Sequence, residues 1–224
     1  MGEISKVGLA PRGSRSCYPA LRVSSVEAPR QRLLSPLRHA RRQAQSRRVC
    51  RRQHNRRITS LDWVPTVREL ATNLDRANDE VIAFAMSCSA EEWAEVVSGD
   101  GWPVGVVLHH IAEGYDLVSR WIESALVGHE IEDTADGIDS ANLRHAEHFA
   151  SVDVEATVAL LRTNGAAAVR RIIALDDSDL QKSTPFGPAN GVPLSVAQFC
   201  AVAVGHVRGH LDRARLSLRG DTGR

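Results

Sequence analysis

The chain has 224 residues, 43% of them hydrophobic and 25% charged, enough to bury a full core and leave room for one domain plus an appendage. Its formal charge of +1 hides two opposite parts: residues 1–57 hold fourteen Arg and one Lys against Glu3 and Glu27, a net +13, and the remaining 167 residues carry −12. No run approaches the roughly 20 apolar residues of a membrane-spanning helix and no apolar segment of a secretory signal opens the chain, so a membrane partner is excluded and the cytoplasm is the default location.

The first segment, 1–57, culminates in RHARRQAQSRRVCRRQHNRR from Arg38 to Arg57. Too few apolar residues to bury and too many like charges to collapse predict a disordered Arg-rich extension. A basic arm for nucleic acid or anionic surfaces, an organelle-targeting peptide and an over-long gene model all fit that composition. No aromatic interleaving or recognition motif accompanies the charge, so nucleic acid is not the favoured partner.

From Ser60 onward the pattern is helical. Val67, Leu70, Leu74, Ala77, Val81 and Phe84 recur three and four apart, a stripe suited to packing on other helices. Ser89 and Glu92 have the spacing of a capping box that opens a short helix through Trp93 and Val97, and SGDG at 98–101 reads as a turn. Pro103 fits the first position of a second long helix, which runs to about Gly128. Residues 129–151 read as a long connection with a short helix around Asn142 to Phe149. Asp153 is the N-cap of a third long helix carrying Val154, Val158, Leu161, Val169, Ile172 and Leu175. The turn-rich STPFGPANGVP follows, and Ser195 with Gln198 repeats the capping-box spacing at the start of the last helix. Convincing period-two strands are absent. The fold class expected is therefore all-α, a four-helix bundle with long crossover loops, spanning 58–219 and followed by a short tail, 220–224.

The four cysteines, Cys17, Cys50, Cys88 and Cys200, form neither a CxxC pair nor a secreted-type framework, which argues against a zinc ribbon and a disulfide scaffold. The histidines carry more. His206 and His210, in FCAVAVGHVRGHLDRAR, are four apart and so share one helix face, from which both rings can donate to one ion. Phe199, Val202, Ala203, Gly209 and Ala214 make that face apolar and small, so another helix can approach it. In VVLHHIAEGYDLVSRW, His109 shares a polar strip with Gly105, Glu113 and Asp116. His110 is instead flanked by Val106, Val107, Gly114, Leu117 and Trp121, and points inward. A core histidine bonded to a carbonyl is the plainer account of His110 alone. Three inward histidines on two helices need a shared partner, because each buried ring needs its hydrogen bonds satisfied. His145 and His148, in HAEH, read as surface residues of a loop, and His129, His39 and His54 give no comparable signal.

GWPVGVVLHHIAEG, followed about a hundred residues later by GHVRGHLDRAR, resembles the DinB-like, or YfiT-like, superfamily of metal-dependent hydrolases and thiol transferases. The resemblance covers about Ser60 to Arg219, and NLRHAEHFASV is similar to the loop before the third helix in actinobacterial members. It implies a Gly-Trp turn at Trp102 and a divalent metal held by His110, His206 and His210. The related mycothiol-dependent maleylpyruvate isomerases have a glutamate where this chain has His206, and a further C-terminal domain for which nothing remains after Arg219.

The resemblance implies a metal-dependent enzyme that activates a low-molecular-weight, mycothiol-like thiol cosubstrate for transfer to a small-molecule electrophile, with zinc or nickel the foremost metals. Glu113 or Asp116 would orient a ligand from behind. An amide or ester hydrolase and a non-catalytic metal-binding or ligand-binding module are the alternatives. Exposed helix faces allow a homodimer.

Overall fold

In the computed structural model, which describes residues 65–220, each helix begins where a side chain can satisfy its unpaired amides. Thr66 and Glu69 form a full capping box at the start of α1 (Val67–Ser87), and Ser89 and Glu92 do the same for α2 (Ala90–Ala94). Asp153 caps α5 (Val154–Ile173), accepting from the Ala156 amide. Ser195 and Gln198 exchange bonds of 3.3 and 2.7 Å at the head of α6 (Val196–Gly220). Between these lie α3 (Val104–Val127) and α4 (Ala135–His148). Pro103 is the N-cap of α3, one place before the position the sequence suggested. At the other end of α3, Gly128 takes the left-handed conformation, φ 73°, which a side chain would disfavour.

The protein is all-α, with a bundle of four long helices as its body. Both α1 and α3 pack against α5 and α6, while α1 and α3 scarcely touch. Around the bundle the order is thus α1, α5, α3, α6, and α3 and α6 are neighbours although a long stretch of chain separates them. Leu74, Val81, Leu108, Ile111, Leu161, Ile172, Phe199 and Leu211 are fully buried where the helices meet. Hydrophobic burial of this kind is the main favourable term in folding. Tyr115 donates to Asn78 Oδ1 at 2.9 Å inside the bundle, and Asn164 donates to the carbonyl of Ala112 at 2.9 Å.

Two features differ from the sequence reading. The 129–151 connection contains a 14-residue helix, α4, opened by Thr134, whose hydroxyl accepts from the Gly137 amide. The helix starts earlier and is longer than the Asn142–Phe149 piece expected, because a helix on the outside of a bundle shows only a faint apolar stripe: of its inward-facing Ile138, Asn142 and His145, Ile138 alone is apolar. The turn-rich segment is a small hairpin, β1 (Ser183–Phe186) antiparallel to β2 (Val192–Ser195), with Thr184 opposite Leu194. Each strand is four residues long and contains a proline, so neither displays alternation to a reader of the sequence. Among the described residues no helix is long and apolar enough to cross a membrane. The basic segment 1–57, Ser60 at the start of the predicted helical pattern, and residues 221–224 of the tail lie outside the described residues.

Candidate metal centre

The turn at 98–101, the first half of α3 and the middle of α6 meet inside the bundle. His110 comes from α3, and His206 and His210 come from α6. All three are buried, His210 completely. One nitrogen of each lies within 4.8 Å of the others, and the Nε2 atoms of His110 and His206 are 3.1 Å apart. Two ligand nitrogens at about 2.0–2.1 Å from a tetrahedral ion stand about 3.3 Å from each other, so the spacing suits a shared cation.

Gly114 makes the approach of α3 and α6 possible. A Cβ built there would lie 2.7 Å from His206 Cε1, so the ring occupies the space that a side chain on α3 would fill. Gly209, a small residue on α6 that the sequence reading favoured, faces no such crowding. Trp102, from the Gly-Trp turn, sets its ring edgewise to His110 with centroids 5.4 Å apart.

Behind His210 stands Asp100, a residue the sequence analysis treated only as part of a turn. His210 Nδ1 is 3.2 Å from Asp100 Oδ2, and the carboxylate is 3% exposed. Arg213, one turn further along α6, donates from Nε to both oxygens of Asp100 at 3.0 and 3.1 Å. Its Nη2 also lies 2.8 Å from His210 Nδ1. A proton on Nδ1 makes the ring a donor to Asp100 and leaves a lone pair on Nε2. The other tautomer would let Nδ1 accept from Arg213 Nη2, which can only donate, and would put the proton on Nε2, which is buried and has no partner. A cation in front of Nε2 requires the first arrangement, a carboxylate–histidine pair of the kind that orients metal ligands.

The electrostatics favour the neutral form of His110 and His206. Burial, then the nearby charge of His206 and His210, holds the pKa of His110 well below 6.5. Burial does the same for His206, with His210 and Arg213 adding to it. Asp100 is opposed by its own burial, yet the bonds and charges of His210 and Arg213 outweigh it and hold its carboxyl below the usual range. Two imidazoles held neutral, beside a third ring backed by an ionised carboxylate, are donor chemistry that a divalent transition metal takes. The residues therefore fit such an ion: a bare buried nitrogen, a cradle kept open by Gly114, and ligand-like spacing.

Glu113 and Asp116, the two acids suggested for a supporting role, are placed differently. Asp116 is exposed. Glu113 Oε2 meets His145 Nδ1 at 3.0 Å, so His145, expected on a loop surface, is on α4 and faces α3. His109, also on α3, lies beside it with ring centroids 5.2 Å apart. His148 and His129 are exposed.

The thiols of the described residues are not nucleophiles near neutral pH. Burial, with the charge of Glu92, pushes Cys88 up to about 11, and burial pushes Cys200 up to about 12.

No curated protein and no solved structure matches the chain with significance. Residues 73–213, from within α1 to within α6, match the family model of the DinB superfamily.

Proposed function

The chain belongs to the DinB superfamily, and from that premise we propose a divalent-metal-dependent enzyme in which His110, His206 and His210 hold the ion and a low-molecular-weight, mycothiol-like thiol is activated for transfer to a small electrophile. One observation carries the metal reading: a fully buried ring, His210, is tethered through Nδ1 to an ionised carboxylate and aims a bare Nε2 at two other buried, neutral imidazoles.

When bound, a divalent ion with three imidazole ligands keeps a coordination position open and stabilises the conjugate base of a thiol or water there. The rest is the work of this chain. Asp100 accepts a hydrogen bond from Nδ1–H of His210 and so holds the tautomer that metal binding needs, and Arg213 helps keep Asp100 ionised. Trp102 shields His110 from water. Gly114 admits His206. Among the described residues Cys88 and Cys200 are held as protonated thiols, and in this reading the sulfur nucleophile is that of a cosubstrate.

The test uses pure, metal-loaded protein incubated with a thiol and an electrophile such as a chlorodinitroarene, with each reagent omitted in turn. Conjugate formation that needs thiol, metal and His210 supports transfer. Turnover of an ester or amide without thiol would instead assign hydrolysis, and tight metal binding without either reaction would assign a binding module.

A further inference from the structure

On the α4 side of the three-histidine cluster, two helices assemble a second set of donors that the sequence divides between a helix surface and a supposed loop. His109 and Glu113 are four apart and project from one face of α3, and His145 meets them from the last turn of α4. One donor atom from each of the three lies within 4.8 Å of the others. Phe149 covers both rings, with centroids 4.2 Å from His109 and 4.9 Å from His145.

Two ring nitrogens in this cluster, His109 Nδ1 and His145 Nε2, are buried without a hydrogen-bond partner. The His145 side chain is only 9% exposed, so water does not readily serve it. An ion pair between Glu113 and His145 accounts for His145 Nδ1 and for nothing else. It leaves two bare nitrogens beside a carboxylate, an arrangement that buried polar groups avoid unless something else satisfies them.

We propose that His109, Glu113 and His145 form a second divalent-metal site, beside the one assigned to His110, His206 and His210 and not dependent on it. Two imidazoles and one carboxylate are a donor set common to zinc and non-haem iron. The carboxylate adds the negative charge that the three-histidine set lacks. Glu113 is about half exposed, 47%, so one side of the site opens to solvent and keeps positions for water or a ligand. His109 and His110 are adjacent on α3, and the His110 and His145 rings have centroids 5.3 Å apart, so the two sites would share one wall.

The test is a zinc count on tag-free, full-length protein, loaded, dialysed and measured by elemental analysis, with cobalt substitution and its visible spectrum as a second readout. The wild-type chain is expected to hold about two equivalents. His145→Gln, His109→Asn and Glu113→Gln, each checked for native circular dichroism, are expected to hold about one and to retain the cobalt spectrum of the three-histidine site. His210→Ala is also expected to hold about one, with the complementary spectrum. A single equivalent lost in His210→Ala but kept in all three of the other variants overturns the second site and leaves the first standing. A single equivalent lost in those three but kept in His210→Ala supports the second site and overturns the first. Unchanged wild-type stoichiometry in the three variants also overturns the proposal.

Discussion

His210 sits where two demands meet, a ring nitrogen that must hold a proton for Asp100 and another that must not. That division of labour gives the first predictions. Alanine at His110, His206 or His210 is expected to remove the metal of the three-histidine site, with His129→Ala, an exposed histidine, as the unaffected control; elemental analysis decides. Asp100→Asn keeps the shape but loses the charge that holds the Nδ1 proton, and is expected to weaken metal binding by about 10–100-fold, read by competition with a chromophoric chelator. An unchanged affinity would make Asp100 a purely structural partner of Arg213. The depressed pKa values of His110 and His206 also set a pH dependence. In the unfolded chain both rings take up protons as pH falls through about 6.5, while in the folded protein they refuse them. Stability of the metal-free protein therefore rises with pH across that interval and levels off above it. Asp100, a carboxyl held below its ordinary 3.8, acts in the same direction but only in acid well below this window. Urea midpoints in the presence of chelator are expected to be lower at pH 5.5 than at pH 7.5; the opposite order would contradict neutral burial.

The element that matters most for the site is the contact of α3 with α6. Gly114→Ala places a methyl 2.7 Å from His206 Cε1, and overpacking of that kind costs about 1–3 kcal/mol. Alanine is the better helix former by about 1 kcal/mol, so the net loss of stability is expected to be small while metal affinity falls sharply, a split that a melt and a metal titration read separately. The same contact marks how far the sequence could be read. Apolar stripes made the long helices legible, and Pro103, Asp153 and the Ser195–Gln198 capping-box spacing marked the starts of three of them, because these signals are local; the Thr66–Glu69 box that opens α1 went unread. His110 was separable from its neighbour His109 because flanking residues three and four away report which way a helical side chain faces. Asp100 was not legible: its spacing from His210 is a property of a turn folding back on a distant helix, and nothing local distinguishes it from the other polar residues of SGDG. His145 was hidden for a related reason, since the helix that carries it covers the bundle from outside and shows too thin an apolar stripe to be told from a loop.

For the whole molecule, an ion bound only by the folded state adds its binding free energy to stability. At a free metal concentration about a hundredfold above Kd the gain is about 2.7 kcal/mol per site, or several degrees in Tm for a chain of this size. Zinc-loaded protein is expected to melt higher than protein in chelator, and His210→Ala combined with His145→Gln is expected to show no difference; persistence of the shift in that double variant would place the ion elsewhere.

The circuit α1, α5, α3, α6 has one further implication. Because α6 supplies two of the three imidazoles and closes the ring, a ribosome must translate nearly all of this domain before any ion can be gripped there. A transcript interrupted by a stop codon ahead of residue 196 would yield a polypeptide with His110 as its one member of the three-histidine set, and with the groove where α6 belongs left open. Nascent chains are thus kept from capturing metal at the three-histidine site until the last long helix has emerged and docked.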